Sequence, residues 1–230
     1  MVGEMYMNAV IFDIKGTIAH FRRPDTTVTH LTYPFITPLA AKGVVGAILG
    51  ITDFTTKDKV GIQILKPVRT SVQQLSLLGE KSTFNRPTTI EFLVNPAYRI
   101  YYVGEEYVEE LYNKLKNNAS VYPTYLGVAY ALTFPKLKGY FKNVEIVYNE
   151  CYVETPSVVP TPAIKELIFE ENNHYNRAGG FMKNYLGERQ FEKSVSYIYE
   201  KNMKNIKFFY QPNNEECVVA NIEGEFICLV

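Results

Sequence analysis

Tryptophan is absent from the 230 residues, histidine and cysteine occur three times each, and 24 lysines and arginines cancel 24 aspartates and glutamates. Each scarcity excludes something. Cys151, Cys217 and Cys228 form no C-x-x-C pair and leave an odd count, which points away from a disulfide framework or zinc site and toward a reducing cytoplasm. His20, His30 and His174 stand far apart with no H-E-x-x-H, so no metal constellation is expected. P-loop, dinucleotide and G-x-S-x-G motifs are also missing, and no cofactor is expected. The longest apolar stretch, 43–51, falls far short of the roughly 20 residues that span a bilayer, and no basic-then-apolar leader opens the chain. Neither secretion nor membrane insertion is therefore expected. A neutral total also argues against indiscriminate coating of nucleic acid.

Tyrosine and phenylalanine are abundant instead, at 18 and 14. Tyrosine buries well while keeping a polar tip, and it stacks on bases, so the excess suits a tyrosine-rich core or a nucleic-acid surface. Charge is unevenly spread. Residues 15–70 hold eight lysines and arginines against three aspartates, whereas acids gather near Glu105 and Glu166. A solvated face is the plain reading of such bias and a polyanion site the sharper one.

The clearest element is residues 37–50. Thr37 is a good N-cap, Pro38 suits the first helical position, and Gly50 can end a helix left-handed. Gly43, Gly46, Ala47 and Gly50 recur at helical spacing and leave a strip nearly free of side chains, expected to lie closely on the protein's own sheet. Alternation predicts a strand at 9–14. Residues 16–36 have no sustained periodicity and read as a long functional loop. Strands are expected at 60–70, 88–94 and 98–103, a second helix at 105–117 and a strand at 127–134. Residues 72–87 read as a protruding hairpin around Gly79-Glu80-Lys81. The order matches the βαββαβ ferredoxin-like (RRM-like) arrangement of an α+β domain. Pro156, Pro160 and Pro162 suggest a linker, so a ferredoxin-like domain over 1–149 and a smaller β-rich part over 150–230 are expected. The latter would hold a short helix at 163–171, a Gly179-Gly180 loop and strands near 195–199, 206–210, 217–222 and 225–230.

The 16–36 loop carries His20, Arg22, Arg23, five threonines (at 17, 26, 27, 29 and 32) and Tyr33, and its outlet is the helix start. Cations, hydroxyls and aromatics in one irregular segment suit a phosphodiester backbone.

These residues resemble a known family. F-D-I-K-G, A-H-F-R-R, T-Y-P-F-I-T-P and G-V-V-G-A-I-L-G between 10 and 50 look like the start of the CRISPR-associated Cas-five family (RAMP superfamily), of the type I-B kind. K-P-V-R-T at 66–70, N-P-A-Y-R-I-Y at 95–101 and Y-P-T-Y-L-G at 122–127 follow in the family's order. The resemblance covers about 10–131. It implies a ferredoxin-like core, a thumb hairpin at about 72–87, and a non-catalytic subunit of a Cascade complex in antiviral defence. Such a subunit binds the 5′ handle of the crRNA and caps one end of the backbone filament. Its partners would be the backbone subunit and the large subunit, with target DNA met indirectly. Arg22, Arg23, His30, Tyr33, Lys42, Lys66 and Arg69 are the expected RNA contacts. In a type I-C branch of the family the protein is a metal-free endoribonuclease; His20 or His30 with Tyr33 and Lys42 would be the crude counterparts here. A generic ferredoxin-like interaction domain remains the third reading.

Overall fold

A computed structural model describes residues 7–78, 85–212 and 217–230. The chain is α+β, built mostly of strands, with two α-helices among the described residues: α1 (Pro38–Leu49) and α2 (Val108–Lys116). At the centre of a six-stranded sheet lies Met7–Lys15, paired antiparallel with Ala97–Gly104 on one side and Lys136–Val147 on the other. Lys59–Ile64 extends the first side, and Val218–Ile222 followed by Glu225–Leu229 extends the second.

Alternation decides what each face buries. Val10, Phe12 and Ile14 enter the large core with α1 and α2, while Ala9 and Ile11 meet Tyr101, Val103, Val144, Ile146, Ile227 and Leu229 in a second cluster. The central strand is thus buried on both faces. The sheet also curls back on itself: Val60 and Val230 exchange backbone hydrogen bonds of 2.9 and 3.1 Å. Gly61 permits this approach, because a Cβ there would sit 2.5 Å from Ile227. Against the boundary expected near residue 149, the last two strands complete the sheet of the first half. The large core likewise unites Phe35 and Val45 with Val153, Phe181 and Phe208.

Local chemistry fixes α1 as expected. The Thr37 hydroxyl accepts from Ala40 N at 3.0 Å, and Gly50 turns left-handed at φ 84°. What approaches the small-residue strip is not the sheet but two loops. Val121 N and Tyr122 N donate to the carbonyls of Ile48 and Ala47, and Phe54 lies where a Gly46 Cβ would meet it at 2.7 Å. Helix α2 starts later than expected, since the Asp58 carboxylate collects the N–H groups of Glu105, Glu106 and Tyr107 just ahead of it.

Other expectations change. The 16–36 loop is pinned by short strands: Ile18–Ala19 and Thr29–His30 both pair with Asn85–Val94. That strand and Thr70–Leu78 form the arms of the expected hairpin; its Gly79-Glu80-Lys81 turn lies outside the described residues. In place of a strand over 127–134, only Leu132–Thr133 pairs, with Thr124–Tyr125, because Gly127 turns left-handed against the His20 carbonyl. The strand after α2 that joins the sheet is Lys136–Val147. Residues 163–171 are not a helix. A 3-10 turn over Thr161–Ala163 leads into the strand Ile164–Ile168, which gains its ladder from Ile206–Tyr210; a short apolar run does not distinguish the two by periodicity. Finally, the Gly179-Gly180 loop is a register break inside a long hairpin, Tyr175–Gly187 with Gln190–Glu200.

Two glycines three residues apart on α1 should respond oppositely. Gly46→Leu forces the Phe54 ring aside and should cost about 1–3 kcal/mol, lowering Tm by several degrees. Gly43 has open space where its Cβ would be, so Gly43→Ala should raise stability by about 0.5–1 kcal/mol. Thermal unfolding of the two variants checks both signs.

Candidate functional site

The polar end of the 16–36 loop is held from within. Phe21 N donates to Thr32 Oγ1 at 2.9 Å, Tyr33 N to the Phe21 carbonyl at 2.8 Å, and Arg23 N to the Leu31 carbonyl at 2.9 Å. Arg22 and Thr32 form an isolated bridge, and Thr32 N donates to the Glu91 carboxylate at 3.1 Å. The loop is also tied to the second half of the chain. The Tyr33 ring stacks on Phe181 at 4.3 Å, Phe181 on Phe35 at 4.9 Å, and the Tyr33 hydroxyl donates to the Gly180 carbonyl. Tyr33 is only 6% exposed, and burial pushes its phenol above the usual range. It anchors the loop rather than offering a free ring to a base.

Docking the loop on the 175–200 hairpin leaves a groove of about 990 Å³. Its walls are Leu31–Pro34, residues 67–70, Arg177–Gly179, Tyr199, Lys201 and Asn202, and Val68 N donates to the Lys201 carbonyl across it at 3.4 Å. Arg23, Arg69, Arg177 and Lys201 bring four cations to it. Of the lining residues Glu91 is the carboxylate, and it accepts from Thr32 N; Asp25, exposed and outside the lining, takes Arg23 in a two-pronged pair at 2.6 and 3.1 Å. This pair holds the Asp25 carboxyl below its usual range and the guanidinium above. An elongated polyanion fits such a concavity.

Of the seven residues expected from sequence, the groove gathers Arg23, Tyr33 and Arg69. Arg22 and His30 lie together elsewhere: both Arg22 and Arg86 disfavour a charge on His30, after burial, which acts most strongly. Lys66 is exposed on the stretch before Arg69 and does not line the groove. Lys42 occupies a separate cavity of about 1200 Å³, lined also by Leu39, Gly43, Lys59, Lys183 and Tyr185, which shares no residue with the groove. Burial, and then the charge of Lys59, push its amine down to about 8, against some support from Asp58. Nothing in the sequence marks Arg177, in the strand Tyr175–Gly187, or Lys201, just past the strand Gln190–Glu200, as a neighbour of a loop some 150 or more residues earlier.

The crude nuclease constellation is not assembled. His20 and His30 stack on each other, Tyr33 is buried against Phe181, and Lys42 lies in the other cavity. Among the described residues no group of three or more histidines, cysteines and carboxylates could hold a metal ion, and no helix is long and apolar enough to cross a membrane.

Residues 9–128 match the family described as CRISPR-associated protein (Cas_Cas5). Two solved structures share the fold. A CRISPR protein from Archaeoglobus fulgidus superposes with a TM-score of 0.57 at 11% identity, covering 97% of this chain and 98% of that one. A chain of a CRISPR RNA-guided surveillance complex gives a TM-score of 0.50 at 9% identity, covering 87% and 90%. No curated protein matches the sequence.

The half-buried Lys42 yields a test with a definite sign. Its folded pKa of about 8 lies below the ordinary 10.5, so the folded state binds fewer protons between those values and stability rises with pH across that window. Lys42→Met should therefore raise Tm by a few degrees at pH 7, and the advantage should shrink steadily from pH 8 toward 10.5. A gain that is constant with pH would contradict the assignment.

Proposed function

The chain belongs to the CRISPR-associated Cas5 family, and from that premise we propose that it is a non-catalytic subunit of a type I Cascade complex, of the I-B kind. In this reading it works in the cytoplasm, binds the 5′ handle of the guide crRNA and caps one end of the backbone filament. It touches the backbone subunit and the large subunit and meets target DNA only through them. The observation that carries the reading is the groove, which gathers Arg23, Arg69, Arg177 and Lys201 against one lining carboxylate, Glu91, with Arg23 held by Asp25 at its margin. Phosphates entering it release counterions, and the four arginine and lysine side chains fix register without reading sequence.

The connectivity supports a ferredoxin-like core for such a subunit. Met7–Lys15, α1, Lys59–Ile64, Ala97–Gly104, α2 and Lys136–Val147 follow as βαββαβ, with the last strand beside the first and the second strand outermost on the other side. The Thr70–Leu78 and Asn85–Val94 arms stand between the second and third of these strands as the thumb. A thumb rooted beside the groove would lie between the RNA and the neighbouring backbone subunit.

Sequencing the RNA that co-purifies with the protein from its host is the first test. Uniform small RNAs sharing a repeat-derived 5′ end are expected, and their absence would sink the reading. Repeat RNA incubated with the pure protein without metal should stay intact. With four groove cations the logarithm of affinity should fall against the logarithm of salt with a slope of about −3, and Arg69→Ala or Arg177→Ala should each lessen it by about 0.7. A slope near zero would favour a generic interaction domain.

A further inference from the structure

The face of the strand Asn85–Val94 opposite the groove packs against a second cluster of rings. Glu91 faces the groove, whereas Phe92, its neighbour in sequence, packs on His20 at 5.7 Å and on Tyr130 at 6.2 Å. His20 in turn stacks on His30, with centroids 6.4 Å apart and planes 20° from parallel. The result is a row of four rings, Tyr130, Phe92, His20 and His30. Its middle two are buried, while Tyr130 at one end is 55% exposed and His30 at the other is half-buried.

His20 is the anomaly in the row. It is 4% exposed, and its Nδ1 lies 2.8 Å from the Glu91 carbonyl, to which only a protonated nitrogen can donate. The tautomer is thereby fixed with the proton on Nδ1, and Nε2 is left buried without a partner. An orphaned buried nitrogen of this kind costs free energy and calls for a reason.

The charges around the pair supply one. The charges of Arg22, from the same loop, and Arg86, from the thumb arm, both act on His30, and Arg22 acts on His20 as well. Glu91 is the acid acting on His20, and its carboxylate already accepts from Thr32 N. Phe92 and Tyr130 bring no charge. Two arginines and two imidazoles therefore stand together, and the acid that acts on His20, Glu91, belongs to the groove side of the strand.

We propose that His20 and His30 form a proton-linked phosphate contact, in which a phosphodiester seated among Arg22, His30 and Arg86 draws a proton onto the imidazole pair. This rests on the RNA-binding reading and adds to it a pH dependence and a second contact across the thumb strand from the groove. Without RNA, burial and then nearby positive charge, Arg22 for both rings and Arg86 for His30, disfavour the imidazolium form. A phosphate cancels the arginine charges and favours imidazolium, so binding takes up a proton and affinity rises as pH falls. The balance is simple: one proton passes from solvent to imidazole for each phosphate seated, and no bond to the RNA forms or breaks.

The test is the affinity of the full-length protein for a labelled single-stranded RNA carrying the repeat-derived 5′ segment, from pH 5.5 to 8.5 at constant ionic strength. Affinity should rise by up to about tenfold per pH unit on the acid side of neutrality, and His30→Asn, at a half-buried surface position, should abolish the slope. Calorimetry in two buffers of different ionisation enthalpy should give heats that differ by the proton taken up. A wild-type profile that is flat, or a His30→Asn profile as steep as wild type, would overturn the proposal while leaving the groove reading intact. No binding at any pH or salt would sink the RNA reading itself, and the pair's role with it.

Discussion

Everything proposed for the surface depends on one aromatic knot. Tyr33 and Phe35, late in the 16–36 loop, clasp Phe181 from the long C-terminal hairpin, and Tyr197 and Tyr199 close round Phe35 edge-on. Such pairs contribute about 0.5–1.5 kcal/mol each beyond the area they bury. Their larger effect is geometric. The loop is polar at one end and apolar at the other, and burying the apolar end sets where Arg23 must stand. The Tyr33 hydroxyl, donating to the Gly180 carbonyl, satisfies a backbone group freed by the register break in the hairpin.

The same economy runs through the main sheet. Val60 and Val230 close a sheet that would otherwise end in an open edge, and the apolar cluster inside the curl holds residues from near both ends of the described chain. The two halves therefore share cores as well as a groove. A site assembled from both halves carries information about folding: Arg69 and Arg177 come together only when the hairpin has docked. The thumb strand then separates the groove from the row of rings, because alternation sends Glu91 to one side and Phe92 to the other.

Helix α1 was legible because its signals are local. Thr37, Pro38 and Gly50 act on backbone groups within four residues, and that chemistry needs no tertiary context. The small strip was half legible: spacing revealed a close approach, but only the fold brings Phe54 and Val121 to it in place of the sheet. Tyr33 shows the opposite limit. A tyrosine among threonines and arginines looks like a stacking surface, yet the ring is buried by a phenylalanine nearly 150 positions away. Lys42 follows the same rule, since its place on the helix was clear but the cavity it faces is built by segments from Met7 to Val230. Residues 163–171 carry a pattern that suits a helix as well as a strand, and what decides for the strand Ile164–Ile168 is a ladder partner, Ile206–Tyr210, about 40 residues later. The family resemblance, carried by contiguous motifs in the first half, was the most legible functional signal.

In the proposed function, one RNA-binding groove is made jointly by the early loop and the late hairpin. Ultraviolet crosslinking of the protein to its co-purified RNA, followed by mass spectrometry of the crosslinked peptides, tests it directly. Crosslinks should appear in peptides from residues 21–34 and also from residues 175–202. Crosslinks confined to the first half, or gathered around the Lys42 cavity instead, would contradict it.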